Sequence, residues 1–181
     1  RVDDSGRVRE FREKPKTPEG REGMRASAHL LASRGVDPGR PYLASMGIYL
    51  FKKDVMLEAL DNDLVDFGHH VIPACVEGLR VQAHFFEGYW RDIGSTRAFY
   101  EAHMDMVQPD PPFDFFDEDW PFFTHPRYLP GSRLTGCGFI NSILSGGAIT
   151  RETTIEESVV GIRSRLNKAT IRRSLIMGAE D

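Results

Sequence analysis

Residues 143–176 read ILSGGAITRETTIEESVVGIRSRLNKATIRRSLI. Within them Ile143, Ile149, Ile155, Val160, Leu166, Ile171 and Ile176 recur every five or six residues. Small or polar residues fill the gaps, among them Gly146, Gly147, Thr153, Thr154, Ser158, Gly161 and Ser164. A period near six fits neither the 3.6 of a helix nor the two-residue alternation of a strand. It fits a hexapeptide left-handed β-helix, in which one branched aliphatic per hexad stacks inside each flat face. A pair of ordinary β-hairpins is the competing reading. The pattern runs for about two coils, fewer than the three or so that a solenoid needs.

Upstream the composition changes twice. Residues 108–132 hold six of the eleven prolines, seven aromatics and five acidic residues, so they read as a connector. Before that, strand-like and helix-like segments alternate, the mark of an α/β layer. YLASMGIYLF, 42–51, is apolar almost throughout and predicts a buried strand. KKDVMLEAL follows at helical spacing, and Asp66 can cap a short helix through His70, Val71 and Ile72. RVQAHFF, 80–86, alternates like a strand. YWRDIG, 89–94, reads as a short strand and turn, and Ser95 or Thr96 can cap a helix from 97 to about 107. Asp3-Asp4-Ser5-Gly6 carries turn chemistry, flanked by Val8 and Phe11. Residues 15–41 read as a long loop with one helix at 24–34.

Composition narrows the function classes. The chain has 181 residues, 40% apolar and 28% charged, with net charge −4. That balance gives no support for a nucleic-acid or acidic-membrane footprint. Cys75 and Cys137 form no metal-ligand pattern and read as two reduced thiols. The first residue is Arg1, and the strand–turn–strand it opens reads as already in progress, so a longer parent protein is expected.

Three places can carry chemistry. Lys14, in Glu13-Lys14-Pro15, can meet a phosphate as a point charge, and Glu13 can accept from sugar hydroxyls. Pro15 biases Lys14 to an extended backbone, and a solvated loop is the plain alternative. Ser45 is a hydroxyl in an apolar strand, with Gly47 leaving room for a ligand or a neighbouring backbone satisfying the serine. Asp92 sits between a strand end and a helix start, where it can hold Mg²⁺ or cap the turn. The adjacent His69 and His70 do not make the spaced pair that zinc prefers.

FREKPK (11–16), PYLASMGIYLFKKDV (41–55), DFGHHVIP (66–73), GYWRDIGSTRAFYEA (88–102), THPRYLPGS (124–132) and SVVGIRS (158–164) occur in this order. Together they resemble the second half of the glucose-1-phosphate adenylyltransferases, especially the cyanobacterial and plant-like branch. The resemblance implies an α/β fold. It comprises part of a Rossmann-like nucleotidyltransferase mixed sheet over 1–107, a connector over 108–138, and the first coils of a left-handed parallel β-helix over 139–181. It implies ATP and glucose 1-phosphate as substrates, ADP-glucose and pyrophosphate as products, and Mg²⁺ as cofactor. Glu13, Lys14 and Ser45 then bind the sugar phosphate, Asp92 is one of two metal carboxylates, and Arg127 joins a regulatory anion site. His125 stands where the family commonly has Gln. The family's Gly-rich nucleotide loop and first metal aspartate lie outside this sequence, so no residue is assigned to catalysis and the chain alone is expected to be inactive. The resemblance further implies an allosteric metabolite, a homo- or hetero-tetramer, and a cytoplasmic or plastid location according to the source, while the charge balance and the lack of a long apolar run give the expectation of no nucleic-acid or membrane partner. Guanylyl and uridylyl transferases, a regulatory subunit and a hexapeptide acyltransferase are the alternatives. The last lacks a histidine after His125.

Overall fold

A computed structural model describes residues 1–179, which divide into two compact units at 87/88. In the first unit the 3–6 turn forms as expected. Asp3 Oδ1 accepts from the Ser5 and Arg7 amides, both at 3.0 Å, and Gly6 takes φ +83°. Val2 bridges Val8 across it. The 80–86 segment lies antiparallel to this turn, with Val8 N donating to Val81 O and Ala83 N to Gly6 O, both at 2.8 Å. Val2, Ala26, Leu30 and Leu31 form a small core, on which Val8, Val36, Ala83 and Phe85 pack.

Four α-helices belong to this unit: α1 (Pro18–Arg21), α2 (Ala28–Ser33), α3 (Lys53–Leu60) and α4 (Ile72–Gly78). Ser27 caps α2, whose start falls four residues after the expected 24. A π-helical turn, Phe67–Val71, leads into α4, and Asp66 Oδ1 caps it by accepting from the His69 amide at 2.6 Å. This wide turn directly precedes Pro73, whose ring meets the carbonyl four residues back in an ordinary α-turn.

The expected buried strand over 42–51 is corrected. The segment is largely exposed: Ile48 keeps 77% and Leu50 101% of its free surface. Among the described residues its one bridge joins Tyr42 to Arg25. Gly47, at φ +73°, bends it in the middle, and its amide donates to Ser45 Oγ at 3.1 Å. An apolar strand is buried only when other strands lie alongside it.

The second unit begins with the 89–94 segment and α5 (Thr96–Met106), capped by the Ser95 hydroxyl. Its aromatic connector clusters Phe113, Phe115 and Phe122, with centroids 4.7–5.8 Å apart, while Phe116, Trp120 and Phe123 stay exposed. Among the described residues nine short strands follow, starting at Arg133 rather than at 139: β1 (Arg133–Thr135), β2 (Gly138–Ile140), β3 (Ile143–Leu144), β4 (Ile149–Arg151), β5 (Thr154–Glu156), β6 (Val159–Val160), β7 (Arg165–Asn167), β8 (Thr170–Arg172) and β9 (Leu175–Ile176). They form three parallel sheets, β1-β4-β7, β2-β5-β8 and β3-β6-β9, and each residue pairs with the one 16 positions on. Parallel pairing to the next coil rules out hairpins.

The repeat is therefore not a strict hexad. Strands start at 133, 138, 143 and 149, so each coil has two five-residue sides and one of six. This register corrects the expected interior. Ile149 pairs with the exposed Arg133 and Arg165 and is half-buried, whereas Thr150 beside it is fully enclosed. The central columns are Leu134-Thr150-Leu166, Phe139-Ile155-Ile171 and Leu144-Val160-Ile176. Ile155 and Val160 are completely buried.

Corners are built in columns too. Gly136, Glu152 and Lys168 take positive φ, as do Asn141, Glu157 and Arg173, and Gly147 and Arg163. Each non-glycine residue there costs about 1–2 kcal/mol. Backbone bonds between coils hold them, such as Glu152 N to Thr135 O at 2.8 Å. A serine column adds to this: Ser158 N donates to Ser142 Oγ at 3.2 Å and Ser174 N to Ser158 Oγ at 3.0 Å. Every buried side-chain oxygen and nitrogen among the described residues has a partner.

Candidate functional site

Glu13, Tyr49, Asp66, Phe67 and Gly68 converge on one open groove, completed by Gly47, Phe51 and Met56. The π-helical turn supplies one wall and the 45–51 segment the other. Phe67 stacks obliquely on Tyr49 at 5.8 Å and edge-on to Phe51 at 6.2 Å. These rings give the groove an apolar floor, and the carboxylates of Glu13 and Asp66 give it acceptors suited to hydroxyls.

Glu13 reaches the turn because Gly68 has no side chain. A Cβ there would lie 2.6 Å from Glu13 Oε2. Lys14 Nζ sits 3.8 Å from Glu13 Oε1 and its side chain is 80% exposed, available to a mobile anion. Its backbone is not extended as expected: φ is +39°, a left-handed conformation that costs a non-glycine residue energy. This left-handed residue directly follows Glu13 of the groove, and such outliers cluster at ligand sites.

Ser45 is exposed rather than buried in a strand. Its hydroxyl lies 3.0 Å from Tyr49 Oη, which brings the serine to the groove through the tyrosine. The hydrogen bond from the His69 amide, with smaller help from the His69 ring, holds the Asp66 carboxyl below its ordinary range. Asp66 thus stays an anion and an acceptor. His69 Nδ1 lies 3.2 Å from Asp66 Oδ1, and the two histidine rings are 6.4 Å apart.

Sequence reasoning took Asp66 for a helix cap only and passed over Tyr49 and Phe67. The recoverable signal was Tyr49 four residues after Ser45, with a phenol able to meet its hydroxyl. Phe67 carried no signal of its own, because a lone aromatic reads as core.

Asp92 belongs to the second unit and is described there alone. It is exposed, and its Oδ1 accepts from the Gly94 amide at 2.8 Å. Oδ2 has no hydrogen bond among the described residues. One free, exposed carboxylate oxygen fits a hard cation that takes one or two protein ligands and completes its shell with phosphates and water. No group of three or more His, Cys, Asp or Glu side chains among the described residues makes a full protein cage. Asp92 therefore offers one ligand of such a site. Arg127 is exposed on the connector, with Nη1 3.4 Å from the His125 carbonyl oxygen. Among the described residues, no helix is long and apolar enough to cross a membrane.

A groove with carboxylate and phenol acceptors is thus joined in one chain to a parallel coil. Residues 1–108 match the family described as Nucleotidyl transferase, and the chain belongs to that family. Residues 127–181 match the GLGC left-handed parallel beta-helix domain. A nucleotidyltransferase domain followed by this β-helix is the architecture of the glucose-1-phosphate adenylyltransferases.

Proposed function

We propose that the protein to which this chain belongs transfers the adenylyl group of ATP to glucose 1-phosphate. An oxygen of the sugar phosphate attacks the α-phosphorus of ATP. The bond from that phosphorus to the β-phosphate's bridging oxygen breaks, giving ADP-glucose and pyrophosphate. The nucleophile is already an anion, so the protein's work is alignment and charge neutralisation. The observation that carries this reading is the groove in which Glu13, Tyr49 and Asp66 present acceptors beside the exposed Lys14 ammonium. In it Glu13 and Asp66 take sugar hydroxyls, Lys14 meets the phosphate, and Ser45 with Tyr49 closes the far side. Asp92 holds Mg²⁺, which when bound offsets phosphate charge. Arg127 serves an anionic effector, and the protein works as a tetramer.

The test is the product of the complete reading frame, supplied with labelled glucose 1-phosphate, Mg²⁺ and each of ATP, GTP and UTP. ADP-glucose should form fastest. A clear preference for GTP or UTP would move the assignment to another sugar nucleotidyltransferase. Lys14→Ala should raise KM for glucose 1-phosphate by roughly tenfold to a hundredfold, the worth of a charged hydrogen bond. An unchanged KM removes Lys14 from the phosphate.

A further inference from the structure

Asp92 lies in a short span fixed at both ends. On one side stands Arg91, whose guanidinium forks onto two carboxylates one turn apart on α5. Nη1 donates to Asp105 Oδ2 at 2.7 Å, and Nη2 donates to Glu101 Oε2. Tyr89 Oη donates to the same Asp105 oxygen at 3.0 Å. On the other side, the Ser95 hydroxyl fixes the start of that helix by accepting from Ala98 N at 3.2 Å. Only Asp92, Ile93 and Gly94 lie between these anchors. Within them the Asp92 carboxylate folds back on the Gly94 amide, and a Cβ on Gly94 would come within 3.0 Å of Oδ1.

We propose that Arg91, Glu101 and Asp105 are positioning residues that aim the free Oδ2 of Asp92 at a divalent cation. The proposal rests on the reading of Asp92 as a metal ligand. A two-point fork sets angle as well as distance, which a lysine cannot do. Arg97 completes the network, its Nε donating to Glu101 Oε1 at 2.7 Å. Two arginines then face two carboxylates, so the network has no surplus negative charge to compete with Asp92 for the cation. Hydrogen bonding from Arg97, then the nearby arginine charges, holds the Glu101 carboxyl below its ordinary range. Burial, helped by Asp105, raises the Tyr89 phenol and keeps it a donor.

The test is Mn²⁺ binding to the product of the complete reading frame, followed by electron paramagnetic resonance, for the wild type, Asp92→Asn, Asp105→Asn and Arg91→Lys. Asp92→Asn should lose most of the affinity. Asp105→Asn and Arg91→Lys should each weaken Mn²⁺ by about tenfold, the usual effect of removing a group that orients a ligand. At saturating Mn²⁺ their KM for glucose 1-phosphate should stay within about twofold of wild type. If Asp92→Asn weakens Mn²⁺ while both network variants bind it like wild type, positioning is overturned, whatever happens to their melting temperatures. If Asp92→Asn itself binds like wild type, the ligand reading falls and the positioning role with it. Glu101→Gln replaces any network variant that does not fold, and is read the same way.

Discussion

The coil from Arg133 and the stretch from Tyr42 to Phe51 are both rich in β-forming residues, yet they end in opposite environments. Ile155 and Val160 have no exposed surface, whereas Ile48 and Leu50 are open to solvent. The difference lies in where the partner strand is. In the coil every residue finds its partner 16 positions along the chain, so closing the pair orders little chain and each coil is the template for the next. Residues 42–51 have one bridge, at Tyr42, and a glycine bend at 47. Apolar character makes a segment ready for burial, and only an adjacent partner buries it.

The largest expected effect tests this contrast directly. Ile155→Ala should cost about 2–5 kcal/mol, because the interior column cannot close on the void. Leu50→Ala, at a fully exposed side chain, should change stability by no more than about 0.5 kcal/mol. Denaturant titrations of both variants check it, and equal losses would break the comparison.

A smaller effect is expected where two backbones touch. At Gly161 a Cβ would lie 2.3 Å from the Gly178 nitrogen and 2.8 Å from its Cα, so Gly161→Ala must shift the chain around 178. A cost of about 1–3 kcal/mol follows, with faster amide exchange at residues 175–179. At Gly47 nothing lies within 4 Å of an added Cβ, so Gly47→Ala meets only the strain of φ +73°, about 1–2 kcal/mol.

The corners sharpen the comparison with a gain. Glu152 holds φ +45°, and its pairing with Lys168 at 4.0 Å is between two exposed side chains. Glu152→Gly should stabilise the coil by about 0.5 kcal/mol, strain relief outweighing the added freedom of the unfolded chain and a weak ion pair. A higher denaturation midpoint is the expected readout, and a lower one would mean that the corner charge matters more than its backbone.

The smallest effect concerns acid. Hydrogen bonds from the Ser5 hydroxyl and the Arg9 guanidinium, both at 2.6 Å, hold the Asp3 carboxyl well below its ordinary 3.8. A depressed folded-state value stabilises above the unfolded value and is lost as pH falls through the folded one. Asp3→Asn should therefore lower the urea midpoint at pH 7, and the gap from wild type should narrow as pH drops below 3.8.

The helices were legible because their signals are local. Ser95 caps α5 and Asp66 caps the turn before α4, as side-chain chemistry and apolar spacing suggested. The coil was legible as a repeat but not in its register. Ile149 looked like an interior residue by spacing, yet the five-five-six step turns Thr150 inward instead. At the candidate site Glu13 and Lys14 were legible as a charged pair. The left-handed turn at Lys14 was not, because proline statistics point to an extended residue. The groove itself was not legible either, since Glu13, Tyr49 and Asp66 are separated by tens of residues.

By itself the sequence determined the coil's repeat, the caps at Asp66 and Ser95 and the order of the motifs, since each depends on neighbours close along the chain. Only the tertiary structure decided that Thr150 faces inward, that Ser45 reaches the groove through Tyr49, and that Glu101 and Asp105 of α5 accept from the Arg91 guanidinium. Those outcomes turn on register and on contacts between separated segments. A hydrogen bond is indifferent to sequence distance, and composition and periodicity do not report which distant groups will meet.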